Sequence, residues 1–202
     1  MSAPPTFLLP GGHQLSELEE TDAPELHALI ERNRAELAKW IQWAPEQTFE
    51  QTLAFIRRAR AKADSNTGHE YAIVTDGRIV GIVGFPVIDR ANRSATIGYW
   101  LDEGHQRRGM MTTAVAALVA HAFDAWQLNR LEIRIDVDNL RSRSLAERLG
   151  FQLEGIARQA YRVGDRANDD AVYSMLASDP ARSQLASAVQ RRDAAGEPAP
   201  RR

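Results

Sequence analysis

Two junctions in this chain hold the residue types that chemistry needs. The first is Tyr99-Trp100-Leu101-Asp102-Glu103-Gly104-His105-Gln106-Arg107-Arg108-Gly109-Met110-Met111-Thr112. An apolar, strand-like run ends here, a glycine-containing loop turns, and a long helical pattern begins. Backbone N–H groups in such a loop and in the first helical turn have no intrahelical partner. Together with the helix dipole they make a site for phosphate oxygens. Gly109 lets the backbone approach an anion, and Arg107 and Arg108 add positive charge. The same pattern also describes an ordinary tight connection with solvated arginines. The second junction is Asp138-Asn139-Leu140-Arg141-Ser142-Arg143-Ser144. Asn139 and Ser142 are standard capping residues, and for this junction taken alone a helix cap is the better account than a site.

The elements that must position these junctions are legible from periodicity. Asp22 is a candidate N-cap for a helix over roughly 24–39, with Pro24 in its first turn and Leu26, Leu29, Ile30 and Leu37 on its apolar side. Thr48 can cap a second helix whose inward residues are Leu53, Phe55 and Ile56. Strands 71–74 and 79–85 flank Asp76-Gly77, a two-residue hairpin signal. A further strand spans 94–101, a helix follows over 109–125, and residues 130–137 alternate cleanly between apolar and charged. A short helix over 140–149 ends at Gly150, and two last strands, 151–162 and 170–177, flank a turn near Gly164. The order predicts an α/β (α+β) fold: a mixed, mostly antiparallel sheet with helices on both faces. Residues 1–12 read as a leader, 13–178 as one domain, and 179–202 as an Ala-, Arg- and Pro-rich tail.

Composition removes several function classes. The 202 residues are 44% hydrophobic and 26% charged, with a net charge of -2, which gives no general electrostatic reason to bind nucleic acid or an anionic membrane. Without cysteine there is no disulfide, thiolate metal site or cysteine nucleophile. No apolar run approaches the ~20 residues of a membrane span, and the N-terminus lacks a basic-then-apolar signal pattern, so a cytoplasmic location is expected. One glycine in the loop, with no Gly-Lys-Ser/Thr ending, argues against a generic mononucleotide binder.

Taken in order, Gln106-x-x-Gly109 opening a helix, Asn139-x-x-Ser142, and Glu147-Arg148-Leu149-Gly150-Phe151 resemble the pattern of the GCN5-related N-acetyltransferase (GNAT) family. Ile97-Gly98-Tyr99-Trp100-Leu101, Leu128-Asn129-Arg130-Leu131-Glu132, Gly150-Phe151-x-Leu153-Glu154-Gly155 and Tyr173-Ser174-Met175-Leu176 look like its ribosomal-protein N-acetyltransferase branch. The resemblance covers roughly residues 13–177. It implies acetyl-CoA as donor, with no metal, and a primary amine as acceptor. That acceptor would be a protein N-terminal α-amine, or alternatively a small molecule such as an antibiotic or a nucleotide–peptide conjugate. A non-catalytic acyl-CoA-binding module is a further alternative, and a homodimer is left open.

The resemblance also implies site roles. Gln106, Arg107, Arg108, Gly109, Met110, Met111 and Thr112 would hold the CoA pyrophosphate through backbone amides. Tyr99, Trp100 and Leu101 would pair with the pantetheine arm like an added strand. Asn139 and Ser142 would lie near the thioester, with Ser142 protonating the departing thiolate. Trp40 and Trp43 fall where this branch builds its acceptor wall. Met111 stands where the loop often ends in Gly or Ala. Tyr161 stands where the branch can carry a catalytic glutamate, and a phenol of pKa about 10 is a poor base at neutral pH. Tyr161 can still donate a proton or orient the amine. The general base is therefore unassigned, with Glu70, Glu103, Glu132 and His105 as nominal candidates.

Overall fold

The β-branched, alternating stretches pair into one eight-stranded sheet. The computed structural model describes residues 6–182 and 185. Its elements run β1 (Phe7–Leu9), β2 (His13–Glu17), α1 (Ala23–Leu37), α2 (Phe49–Ser65), β3 (His69–Thr75), β4 (Arg78–Asp89) and β5 (Ser94–Leu101). They continue with α3 (Met110–Asp124), β6 (Arg130–Asp136), α4 (Leu140–Leu149), β7 (Gln152–Val163) and β8 (Arg166–Leu176). The strand order is β1-β2-β3-β4-β5-β6-β8-β7. Among the described strands only β5 and β6 are parallel neighbours, and α3 supplies the crossover that such a pair requires.

Helices cover both faces, as the pattern of the chain predicts. On one face Leu26, Leu29 and Ile30 of α1 and Ile56 of α2 pack with Ala72 and Ile82 of the sheet. On the other, Ala114, Val115 and Leu118 of α3 and Leu145 of α4 pack with Ile73, Val83 and Leu131. Strand β4 supplies both cores, which explains its unbroken apolar run from Ile79 to Phe85. The hairpin at Asp76-Gly77 forms with positive φ at both residues, 51° and 71°, the geometry that matches strand twist.

Local details differ from expectation in two places. Thr48 caps α2 as anticipated: its Oγ1 accepts the Gln51 N–H at 3.3 Å, and Gln51 Oε1 accepts the Thr48 N–H at 2.8 Å. Asp22 does not cap α1. Its carboxylate accepts the Glu19 N–H at 2.8 Å and closes the preceding 3-10 turn, Glu20–Asp22. Part of the stretch read as a leader is sheet: Phe7–Leu9 pairs antiparallel with His13–Glu17 around Pro10-Gly11-Gly12. These strands are three and five residues long, too short to show a period. Most of the expected tail lies outside the described residues.

The feature that shapes the site is a parting of the sheet. Strands β5 and β6 pair only at Ser94↔Arg130, Ala95↔Leu131 and Thr96↔Glu132. Beyond Thr96, β5 stays with β4 through Gly81↔Leu101, while β6 runs with β8. The β4–β5 register shifts between Gly84 and Val87, beside Pro86, which has no N–H to give the ladder. Bulges bend and twist the strand that carries them, and β5 leaves β6 at this level. The parting depends on the core beneath it. Leu118, fully buried at the centre of α3, is expected to lose about 2–5 kcal/mol of stability on truncation to alanine, read by urea unfolding.

Candidate active site

The parted strands leave part of the sheet without a backbone partner. The Asp102 N–H donates to Val80 O at 2.8 Å. Antiparallel alternation then turns the polar groups of Trp100 and Gly98 toward β4, and those of Tyr99 and Leu101 toward the gap. The gap opens into a cleft of about 370 Å³, lined by Tyr99, Trp100, Leu101, Gln106, Arg107, Gly109, Met110, Met111, Thr112, Asn139 and Ser142 among others. The structure thus gathers eleven of the residues singled out at the two junctions into one cavity wall. Arg108 is solvent-exposed and does not line it.

The floor of the cleft is the start of α3. The first intrahelical bond there is Thr113 N–H to Gly109 O, 3.0 Å, so the N–H groups of Met110, Met111 and Thr112 precede it and are free of helical partners. Gly109 is left-handed, φ 78°, and no heavy atom lies within 4 Å of where a Cβ would stand. Backbone conformation, not crowding, demands glycine here, and the space beside it is open. Arg141 and Arg148, which sequence reasoning had not assigned to this site, join Arg107 in the lining. Three guanidiniums around free amides and a dipole terminus suit a phosphate-bearing ligand. The helical spacing of Arg141 and Arg148 on α4 was the available signal.

The loop is fixed from behind by α1. Buried Asn33 donates to Asp102 Oδ1 at 2.7 Å and accepts the Glu103 N–H at 2.9 Å. Asp102 also takes hydrogen bonds from His105 Nδ1 (2.7 Å) and Arg32 Nε (3.4 Å). Burial alone would raise its pKa, but these donors outweigh burial and hold the carboxyl below the usual range. His105, a nominal base candidate, is thereby tied into the loop.

Across the gap, Asn139 caps α4 by accepting the Ser142 N–H at 3.1 Å. The Tyr99 hydroxyl donates to the Ser142 carbonyl at 3.4 Å, and burial pushes its pKa up to about 12. Among the described residues, the Ser142 hydroxyl has no protein partner and is free to turn into the cleft. Gln106 links the two sides: its Nε2 donates to Leu101 O at 3.1 Å and its Oε1 accepts from Arg141.

A second cavity, about 500 Å³, lies on the α1/α2 side of β5 and shares Ile41, Tyr99 and Trp100 with the first. Trp43 lines it, while Trp40 lines the first cleft. Its wall also contains Phe55, Arg58 and Glu70. Burial pushes the Glu70 carboxyl up to about 7, with Lys62 pulling the other way. Tyr161 lines neither cavity. It sits in β7, its hydroxyl donating to Asp136 Oδ2 at 2.6 Å and accepting from Asn168 Nδ2 at 3.2 Å. Burial first, then the neighbouring Asp136, pushes this phenol up to about 12. Glu132 pairs with Arg130 and Arg134, both at 2.8 Å, and Glu103 is exposed.

The chain has clear relatives. A family model described as an acetyltransferase (GNAT) domain matches residues 14–152. The YdaF protein of Bacillus subtilis (strain 168) is 36% identical over 163 residues, 79% of this chain and 88% of its own. The ribosomal-protein-serine acetyltransferase of Escherichia coli (strain K12) is 31% identical, covering 81% of this chain and 92% of that protein. Among solved structures, a RimL ribosomal L7/L12 α-N-protein acetyltransferase in complex with coenzyme A matches with a TM-score of 0.82 and 28% identity, over 85% and 98% of the two chains. The microcin C7 self-immunity acetyltransferase MccE, in complex with acetyl-CoA and AMP, matches with a TM-score of 0.78 and 30% identity, over 81% and 92%. Among the described residues no cluster of His, Cys, Asp or Glu could hold a metal ion. No described helix is long and apolar enough to cross a membrane.

Gly109→Glu tests the cleft. A carboxylate beside the free amides is expected to lower acetyl-CoA affinity on the order of a hundredfold by calorimetry. The positive φ adds only ~1–2 kcal/mol of strain at this exposed turn, so the circular dichroism spectrum is expected to stay native.

Proposed function

The chain belongs to the GNAT acetyltransferase family and is an acetyl-CoA-dependent N-acetyltransferase, and on that premise we propose that its acceptor is the N-terminal α-amine of a protein. One observation supports this reading above the others: the donor cleft and the second cavity meet at Tyr99 and Trp100. An amine held in the second cavity would reach a thioester lying along β5 without crossing the sheet. The second cavity has partly exposed Trp43 at its wall, so a chain end can enter with its body left in solvent. The Escherichia coli and RimL relatives, named for acting on ribosomal proteins, favour the same acceptor. A cytoplasmic location goes with it.

The roles follow from what the reaction needs. The amine must shed a proton before it has a lone pair. As nitrogen bonds the acetyl carbon the carbonyl oxygen gains charge, and it returns that charge as the carbon–sulfur bond breaks. Cleft-facing backbone N–H groups at Tyr99 and Leu101 would stabilise it. The departing thiolate would take the Ser142 hydroxyl proton. The free amides of Met110, Met111 and Thr112, with Arg107, Arg141 and Arg148, would hold the pyrophosphate and place the thioester. Tyr161, engaged by Asp136 and Asn168, has no part in these steps.

A second reading has its own support. Trp43, Phe55 and Trp100 give the acceptor cavity aromatic walls suited to a flat group on a small amine, and the MccE relative was solved with AMP. A thiol-release assay with acetyl-CoA, run on N-terminal ribosomal-protein peptides and on a panel of small amines, decides between them. Turnover confined to the peptides supports the protein acceptor, and turnover confined to small amines replaces it. On whichever acceptor is active, Ser142→Ala is expected to reduce kcat on the order of a hundredfold while leaving the acetyl-CoA dissociation constant within a factor of about two. A loss of affinity with kcat intact would make Ser142 a binding residue.

A further inference from the structure

The sheet floor of the acceptor cavity contains two glycines in one row, with a carboxylate at one end and the Pro86 ring over the other. Glu70 of β3 pairs with Gly84 of β4, and Gly84 pairs with Gly98 of β5. The three residues therefore stand in one row across three strands, on the face that carries Ala72, Ile82 and Trp100 toward α1 and α2. A methyl group at Gly84 would lie 2.6 Å from Glu70 Oε2. The carboxylate therefore leans sideways over Gly84, occupying space that any other residue there would fill. The next strand, with Gly98, is ~4.8 Å further on, and there the Pro86 ring covers the floor, its Cγ 3.1 Å from where a Cβ of Gly98 would stand. Gly98 directly precedes Tyr99, whose backbone faces the donor cleft.

The surroundings of this carboxylate are unusual for a structural one. Leu26, Ile30, Phe55, Ile82 and Trp100 make much of the cavity wall, and no hydrogen bond or ion pair to Glu70 exists among the described residues. The charged groups near it are Arg58 in the same cavity, Lys62 on α2, and Glu17, Arg60 and Asp64 behind it. Lys62 makes no hydrogen bond to it: the Nζ donates to Pro86 O at 2.9 Å and its charge acts on the carboxylate through space. An acid with no structural partner, lining the same cavity as Tyr99 and Trp100 of the reacting strand, is arranged to exchange a proton.

We propose that Glu70 is the general base of the transfer, taking the proton of the acceptor ammonium through one water in the cavity that Glu70 shares with Tyr99 and Trp100. The proton passes from the ammonium nitrogen to the water while the water passes one to the carboxylate, and the freed lone pair attacks the acetyl carbon. The inference rests on the acetyl-transfer reading and fills the role that Tyr161 cannot serve. Carboxyl burial supports it: a group titrating at about 7 is half-ionised at neutral pH and well matched to accept a proton there.

The test compares wild type, Glu70→Gln and Lys62→Met on the acceptor that turns over, measuring kcat/KM across pH together with acetyl-CoA affinity. Wild type is expected to gain activity as pH rises through about 7. Glu70→Gln keeps the size of the side chain and is expected to lose kcat on the order of a hundredfold with donor affinity unchanged. Lys62→Met removes the charge that favours the ionised form, so the rising limb is expected to move to higher pH while the plateau survives. A limb that belongs to the acceptor amine itself would stay fixed in all three proteins. Glu70→Gln activity within about threefold of wild type, with the limb unmoved in Lys62→Met, would overturn the base and leave the transferase intact. Absence of turnover by wild type on every amine, with acetyl-CoA bound, would overturn the transfer reading and this inference with it.

Discussion

The site depends on one constraint: a parallel strand pair is allowed only a short contact before its strands separate. Backbone N–H and C=O groups removed from a ladder must find other partners or face solvent. In β5 those groups belong to Tyr99 and Leu101, and the gap beside them is where a strand-like guest can supply the missing bonds. The parting has a local origin in the irregular β4–β5 register next to Pro86. It is held open by α3 and α4, which pack Met111, Leu145 and their neighbours beneath it. Both cavities border the same short run of β5, so one stretch of peptide walls the two of them.

Charge follows the same division. Toward the donor cleft, Arg107, Arg141 and Arg148 stand near a helix N-terminus, and together they select for an anion of high charge density. Toward the second cavity the lining is mainly apolar and aromatic, and burial raises the pKa of its Glu70 carboxyl to about 7. The loop between these environments has little freedom. Asn33 grips both Asp102 and the Glu103 N–H from a buried position, so α1 determines where the amides of α3 point. Preorganisation of this sort places the entropic cost of ordering the loop in folding, not in binding.

Much of this was legible in the chain itself, for reasons that can be stated. Helices α1 to α4 and strand β6 announce themselves because each has a periodic apolar face, β4 because its apolar run is unbroken, and the hairpin at Asp76-Gly77 because its φ values demand those residue types. The cleft-lining loop was visible because an amide-rich turn before a helix has few other residue solutions. What stayed hidden was non-local. Strands β1 and β2 are too short for periodicity to speak. Asp22 looked like a cap because sequence cannot say which of two adjacent turns a carboxylate will close. Tyr161 occupied the aligned position of a catalytic residue, yet its hydroxyl is committed to Asp136 and Asn168, partners distant in sequence. The row of Glu70, Gly84 and Gly98 exists only through strand register, which no single segment encodes.

The hydrogen bond from Gln106 to the Leu101 carbonyl has a consequence for the protein before any ligand arrives. An unpaired strand edge is a template for another chain, and sheets with bare edges invite aggregation. Here the exposed stretch is a few residues long, recessed between helices, and one of its acceptors is already occupied by a side chain that Arg141 holds from the far bank. A guest with the right pattern can displace one amide side chain, whereas a neighbouring molecule's strand would meet helices on both sides. The opening is thus guarded against pairing with a second copy of the chain while the sheet stays unclosed.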